Sequence, residues 1–312
     1  MADSAVHEMK YVAETTVGET PTSPTFKALR GTGTTLEVTK SLIRSEEQSS
    51  TRQVQNVRHG VRQTGGDLSG ELWYGDHDDL IEALFGGTWA VDTPIAGTDQ
   101  LLVGNVDRSF SILSNQTDIS TANKPIHLYK GQHVNTWNLS FTPDGIVSST
   151  FGLIGIDAEA LETEPSGSTT TAASNVEPMT SLVGSINIGG VSAANVTEAT
   201  ITIENGMEAE MVCMNNKAHR IKRGQLTVSG QFSLYFENST AFEAFLNETE
   251  LAADISVTDP AGNTIKIDLP ALKYSGASVP RSGSDSVVVT LPFEGFYDET
   301  ATSTIVVERT PV

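Results

Sequence analysis

The sequence predicts a mainly β protein made of two tandem β-sandwich or barrel-like domains, each with one flanking α-helix. Apolar and polar residues alternate over short stretches such as Thr136–Phe141 and Thr264–Leu269, which is typical of strands with one buried face. The chain also contains one pattern twice, because a shift of 160 positions places Ser69-Gly70 on Ser229-Gly230. We interpret this repeat as an internal duplication.

The amino-acid composition argues against several classes of function. The 312 residues suit about two domains, and 39 acidic against 19 basic side chains give a formal charge of −20. Such a charge argues against gripping nucleic acid, which requires Lys and Arg to neutralise phosphates, but it permits DNA to slide past. The single cysteine, Cys213, excludes an internal disulfide and a thiolate metal cluster. The start resembles no signal peptide, and no apolar run approaches the ~18 residues of a membrane helix, so we expect a soluble cytoplasmic product with no membrane partner.

Changes in composition suggest the domain boundaries. We predict a first domain over residues 1–162, a flexible linker over 163–178 and a second domain over 179–312. The linker is polar and has no apolar period. Residues 90–124, which follow the first helix, show no regular pattern. We interpret them as an insertion in the first domain.

One helix is expected in each half, at the same place in the repeat. In the first, Asp76 is the expected N-cap and Gly86-Gly87 the expected end. Its apolar stripe is formed by Leu80, Ile81, Leu84 and Phe85. In the second, Asn238 or Ser239 is the expected N-cap. Its stripe is formed by Phe242, Phe245 and Leu246. Both helices should pack on a sheet.

Two long polar connections, here called the first arm (Arg44–Val57) and the second arm (Glu204–Lys217), join strand-like runs. Connections of this length are often functional. The basic run after the second arm is either a solvated hairpin or a patch that complements an acidic neighbour. The candidate contact residues between subunits or rings are Arg44, Glu46, Glu47, Arg52, Arg58, His59, Arg62, Met207, Met211, Met214, Lys217, His219, Arg220, Lys222 and Arg223.

Catalytic motifs find little support. Gly75–Asp79 places a histidine among carboxylates, which are side chains that can bind a metal, but the second half has Glu237–Ser239 there and lacks the ligands. A solvated helix start explains the first cluster better. Thr64–Asp67 lacks the Lys-Ser/Thr ending of a phosphate loop. We therefore predict no catalytic residue, no cofactor, no metal site and no enzymatic activity.

One stretch carries a family resemblance. Gly65–Trp89 runs from a Gly-rich strand with Ser-Gly through Tyr-Gly-Asp and a Glu-Ala-Leu helix to Gly-Gly-Thr-Trp. This order resembles the tail tube proteins of long-tailed, non-contractile bacteriophages. The resemblance implies a β-sandwich or barrel-like domain with a flanking helix. It also implies that six such domains form a ring with a continuous inner barrel, and that rings stack into a hollow tube that conducts DNA.

Combined with the repeat, the resemblance leads to a ring hypothesis. If each half fills one of six positions, three chains complete a ring with approximate sixfold symmetry; six chains with the second domain outside are the alternative. The arms are predicted to be mobile in the free chain and to order when rings stack. Expected partners are other copies, tail terminator and tail-tip proteins, a tape-measure protein in the lumen and DNA in transit. The expected location is the virion tail, assembled in the host bacterial cytoplasm.

Two functions from other classes stay open at this point. One is a β-rich adhesin that binds sugar or protein, and the other is a metal-dependent hydrolase. The adhesin is disfavoured by the absence of a signal sequence and by the helix in each half. The hydrolase is disfavoured because its candidate ligands are not repeated.

Overall fold

The computed structural model describes residue 3 and residues 6–48, 50–189, 195–278 and 286–312. It confirms the mainly β class, since strands greatly outnumber the two α-helices in this part of the chain. We call residues up to 162 the first half and residues from 179 the second half.

The first half is a succession of strands interrupted by one α-helix. The helix α1 covers Asp78–Phe85, and a short 3-10 helix covers Thr121–Asn123. The strands are β1 (His7–Ala13), β2 (Thr25–Leu29), β3 (Gly33–Thr34), β4 (Glu37–Arg44), β5 (Val57–Glu71), β6 (Asp99–Leu102), β7 (Phe110–Gln116), β8 (Ile126–Phe141), β9 (Ser148–Gly155) and β10 (Asp157–Leu161).

The rest of the chain follows the same plan. The helix α2 covers Thr240–Leu246. The strands are β11 (Thr169–Thr171), β12 (Gly184–Ile188), β13 (Val196–Glu204), β14 (Glu208–Glu210), β15 (Arg220–Lys222), β16 (Thr227–Tyr235), β17 (Leu251–Thr258), β18 (Thr264–Tyr274), β19 (Val288–Gly295) and β20 (Val306–Thr310).

One sheet runs through both halves. Its hydrogen-bonded order is β4-β5-β9-β8-β13-β16-β19-β18, with antiparallel pairing throughout. The first four strands come from the first half and the last four from the second. The sheet crosses from one half to the other where β8 pairs with β13.

The longest strand of each half bends from this sheet into a second layer. The N-terminal part of β8 pairs with β7 and β10, whereas its C-terminal part pairs with β9 and β13. In the same way, β18 pairs first with β17 and β20 and then with β19. Strands that change partners at a bulge make the corners of sandwich-like folds. The largest buried cluster, which includes Trp137, Phe151, Phe232 and Phe293, lies behind the eight-stranded sheet.

Each half contains the same ladder of strands. The order β7-β8-β9-β5-β4 recurs as β17-β18-β19-β16-β13. A bulge lies between Phe110 and Ile112 in β7 and again between Leu251 and Ala253 in β17. The repetition therefore extends to an irregularity of the ladder. A common origin of the halves by duplication stays a prediction.

The ladders correct part of the sequence alignment. Val147 and Val287 directly precede β9 and β19, which occupy the same place in the two ladders, at an offset of 140. Leu72 N donates to Val147 O, and Phe236 N donates to Val287 O, both at 2.9 Å. Leu72 therefore corresponds to Phe236, an offset of 164 rather than 160. The Ser-Gly match that revealed the repeat is wrong by four residues, because local similarity does not fix strand register.

The helix predictions are partly confirmed. The stripe of α1 is buried, and Gly86 ends the helix with φ +62°. Asp76 is not the N-cap; His77 occupies that position, while Asp76 Oδ1 accepts a hydrogen bond from Ser174 N at 2.9 Å. Ser239 is the N-cap of α2 but makes no capping bond through its side chain. The prediction that the apolar stripe of α2 is buried is wrong, because Phe242 and Leu246 are 40% and 63% exposed.

Two connecting segments carry more structure than the sequence indicates. Residues 90–124 contain β7, which has a counterpart in β17, so only the part before β7 lacks an equivalent. In that part, β6 pairs with β20 of the second half. The segment predicted as a flexible linker contains β11, which pairs in parallel with β2. The domain boundaries themselves stay a prediction. Within the described part of the chain, neither helix has the length and apolarity needed to cross a bilayer.

Candidate functional site

The half–half junction, defined as the contact between β8 with its neighbours and β13 with its neighbours, joins the two halves through a continuous strand pairing. Six residue pairs join the strands, from Ala199 opposite Phe141 to Glu204 opposite Thr136. Side chains also meet across it, since Thr202 Oγ1 donates to Asn138 Oδ1 at 2.8 Å. The junction shows how one unit of this fold attaches to the next.

A buried asparagine seals the junction against α1. Asn205 Nδ2 donates to Leu84 O at 2.7 Å, at the C-terminal end of α1, and to Val134 O at 3.3 Å. Asn205 N also donates to Asn135 O at 2.9 Å. Asn205 is only 2% exposed, so these bonds satisfy carbonyl groups that water does not reach.

Close backbone contacts at the end of α1 depend on two glycines. A side chain on Gly86 would collide with the Arg223 guanidinium, and one on Gly87 would meet Leu102 O at 2.1 Å. Arg223 Nη1 donates to Val106 O at 3.0 Å, so a cation of the second half holds the loop between β6 and β7. Gly86 therefore makes room for a side chain of the second half, whereas Gly87 allows close packing against β6 within the first half.

A charged cluster attaches the second arm to the first half. Asp157 pairs with Arg62 at 2.7 Å and also with Lys217. The backbone reinforces this contact, because Arg62 N donates to Asn216 O at 3.0 Å. The structure thus brings together two of the predicted contact residues, Arg62 and Lys217, through a carboxylate that the sequence analysis did not single out.

A second ion cluster joins the last strand to the start of α1. Arg309 pairs with Asp99 at 2.9 Å and with Asp78, and its guanidinium carbon lies 4.5 Å from the ring centre of Trp89. Burial raises the pKa of the Asp78 carboxyl, and the Arg309 charge opposes that shift. The closing Trp of the Gly-Gly-Thr-Trp motif therefore stacks on a cation from the second half.

The predicted contact residues divide by arm. The predicted contact residues in and directly after the first arm are all exposed, namely Arg44, Glu46, Glu47, Arg52, Arg58 and His59. In the second arm Met207 is buried, whereas Met211 and Met214 are exposed. His219 and Lys222 are exposed, and Arg220 pairs with Glu210 at 2.7 Å. The second arm is folded onto its own chain through Lys217 and Asn216, and its mobility in the free chain stays a prediction.

The outward face of the eight-stranded sheet, here called the acidic face, is polar. Alternation along the strands places these side chains opposite to the buried core residues. The charged residues of the acidic face are Glu37, Asp67, Glu71, Glu198, Glu204, Glu294 and Lys273. Carboxylates therefore predominate on the side of the sheet that faces away from the core.

The carboxylates of Gly75–Asp79 are engaged by cations and amides of the chain. Arg30 pairs with Asp76 at 3.5 Å, Arg309 pairs with Asp78, and Lys27 pairs with Asp79. In the described residues, no three His, Cys, Asp or Glu side chains are grouped as a metal site requires. The cluster organises the start of α1.

Asn205, Asp157 and Arg309 connect the two halves and were not predicted from the sequence. Asn205 lies within the second arm, where polar composition suggested solvent exposure. Asp157 and Arg309 lie in strands without a recognisable motif. A single asparagine next to a strand end gives no periodic signal, so only the fold reveals its partners.

Comparison with known proteins identifies the family. The family model described as "Phage tail tube protein" matches residues 4–295. No curated protein matches the chain. The match covers nearly the whole chain, including both halves and the junction. The chain therefore belongs to the phage tail tube protein family and is a structural component of a virion tail.

Proposed function

We propose that this protein forms rings of three copies, in which six equivalent halves alternate around the axis, and that the rings stack into the tube that conducts DNA from the capsid to the host cell. The halves are proposed to descend from one duplicated domain. The repeated ladder, with its repeated bulge, supports this origin.

The occupied edge of β8 is the observation that carries the three-copy ring. In a ring of six first halves, this edge would have to receive β4 of a neighbouring first half. Instead, residues 136–141 are already paired with β13 of the same chain. Around the ring, each first half is therefore followed by a second half. This order favours a ring of three copies over a ring of six copies with the second domain outside.

Closing the eight-stranded sheets would produce a barrel of about 24 strands. With strands about 4.8 Å apart and tilted by about 40°, its backbone diameter is roughly 50 Å. Barrels of 16–18 strands already leave an aqueous channel. A closed sheet also removes the exposed edges that endanger a free β protein.

The acidic face is proposed to line this channel. Its carboxylates would repel phosphates and thereby let DNA pass without sticking. The same role needs no catalytic group, and we propose that the protein has none. Tail terminator, tail-tip and tape-measure proteins are the proposed partners, and the host bacterial cytoplasm is the proposed place of assembly.

Electron microscopy of the purified protein, with end-on views averaged without imposed symmetry, tests the proposal. Threefold rings or hollow tubes are the expected result. Sixfold rings would preserve the tube but place the second half outside. Monomers alone, even with partner tail proteins present, would overturn the proposal and revive the adhesin.

A further inference from the structure

We propose that the half–half junction is repeated between copies: β4 of one chain pairs with Ser275–Ser278, the segment that follows β18, in another chain, with Glu37 opposite Ser278. This contact also covers the exposed apolar end of α2. The inference rests on the proposed ring and specifies which residues close it.

The free edge of β4 is the first part of the argument. Every residue of Glu37–Arg44 is exposed, and among the described residues β4 pairs with β5 on one side only. Leu42 and Ile43 are 57% and 59% exposed. A long edge strand with exposed apolar side chains is a template for another strand.

The repeated ladder identifies the partner strand. Val134 pairs with Leu153, and Tyr274 pairs with Phe293, so β8 and β18 correspond at an offset of 140. After the bulge in β8, Asn138 pairs with Thr150, and in the second half Ser278 pairs with Thr290. Ser278 therefore occupies the place of Asn138.

The same reasoning aligns the other strand. Glu37 pairs with Gly65, and Thr202 pairs with Ser229. Gly65 and Ser229 correspond at the offset of 164 set by Leu72 and Phe236. Glu37 therefore occupies the place of Thr202. Since Thr202 Oγ1 donates to Asn138 Oδ1 within the chain, the Ser278 hydroxyl is placed to donate to the Glu37 carboxylate between chains.

The uncovered end of α2 provides independent support. Phe85 at the end of α1 is fully buried, whereas Leu246, its counterpart in α2, is 63% exposed. The second half covers α1 through Asn205 and Arg223, but in the described residues no equivalent contact covers α2.

The ladder indicates what covers α2. By the same alignment, Thr39 in β4 occupies the place of Glu204. The next residue, Lys40, therefore occupies the place of Asn205. The last turn of α2 has no basic residue. A lysine delivered to this end would complement the partial negative charge of the helix terminus. A second copy therefore offers both apolar and charge complementarity.

Disulfide trapping tests the register. In a full-length Cys213→Ser background, Glu37→Cys and Ser278→Cys are combined, and assembled protein is oxidised and run on a non-reducing gel. Dimers and a closed covalent trimer are expected as the main products. The control combines Arg44→Cys with Ser278→Cys, whose cysteines would lie about 24 Å apart along the strands.

The outcomes separate this inference from the ring itself. Equal trapping of both pairs, or threefold rings in the microscope without trapping of the first pair, would overturn the register and leave the ring intact. Covalent products larger than a trimer would contradict closure by three copies. Absence of any association would contradict the proposed function and the junction with it.

Substitution in α2 tests the covered surface. Leu246→Glu should leave the monomer folded, because the side chain is exposed, but should lower ring formation and trapping at least tenfold. Ile95→Glu is the matched control, since Ile95 is 70% exposed and belongs to the segment without a counterpart. Equal ring formation by both variants would overturn the role of α2.

Discussion

At the scale of single residues, the half–half junction depends on a few polar side chains whose partners are backbone carbonyls. The Asn205 side chain connects the second arm both to the end of α1 and to β8. Its two carbonyl acceptors lie in a region that water does not reach. Removing the donor would leave them without partners, at a greater cost than losing an exposed hydrogen bond.

We therefore predict that Asn205→Ala lowers the free energy of unfolding by about 2 kcal/mol. Asn187→Ala is the control, because Asn187 is exposed and bonds Asp254 at 3.0 Å from the surface. Its expected loss is below about 0.5 kcal/mol. Urea unfolding of the two variants measures the difference, and equal losses would contradict the sealing role of Asn205.

Prediction from sequence worked best for residues with a local signal. The stripe of α1 and the left-handed Gly86 follow from helix periodicity and termination, and both are present. The same periodicity in α2 did not show whether a partner covers the stripe. Asn205, Asp157 and Arg309 could not be found, because their partners lie about 60 to 230 positions away.

At the scale of elements, the two arms differ although they occupy equivalent places. The second arm lies on the first half, fixed by Asp157 and by the bond from Arg62 N to Asn216 O. The first arm extends β4 and β5 as an exposed hairpin, with Ser45 N donating to Asn56 O at 3.0 Å. We predict that the first arm contacts a neighbouring ring in the assembled tube.

Deleting the tip of the first arm should separate folding from polymerisation. Residues 46–55 are replaced by Asn-Gly, which suits a two-residue hairpin turn. We expect soluble protein with unchanged circular dichroism that forms no stacked tubes by electron microscopy. A control variant carries an arm of the same length and charge with a scrambled sequence. It shows whether stacking depends on the sequence of the arm or only on its length. Normal tubes from the deletion would contradict the stacking role of the arm.

The strand alternation predicted the class of the fold but not the register of its ladders. Register depends on which residues meet across the sheet, and a short sequence match cannot supply it. The Ser-Gly match was therefore useful for detecting repetition and wrong in detail by four residues. β6 was missed for a related reason, since its partner β20 lies at the other end of the chain.

At the scale of the whole molecule, part of the net charge of −20 is concentrated on one face of the sheet. Six carboxylates lie on the acidic face, and the proposed ring turns that face toward the channel. Because screening shortens electrostatic repulsion to about 8 Å at physiological salt, only charges on the channel wall act on passing DNA. The position of the charges therefore matters more than their sum.

Reversing two charges on the acidic face should make assembled tubes retain DNA. We expect the double variant Glu71→Lys with Glu204→Lys to bind DNA in a salt-sensitive way. The control variant, Glu250→Lys with Glu299→Lys, changes exposed positions elsewhere and should bind less DNA inside the tube. Nuclease protection of DNA at about 50 mM and 200 mM salt measures retention. Equal protection by both pairs would contradict the proposed lining.

The pairing of β8 with β13 inside one chain also changes the kinetics of assembly. In a three-copy ring, every second contact is already made when the chain has folded, so it forms at the high effective concentration of a tethered pair. Only the remaining contacts require separate molecules to meet. Ring nucleation should then depend on the third power of concentration rather than the sixth, so assembly can begin in more dilute protein.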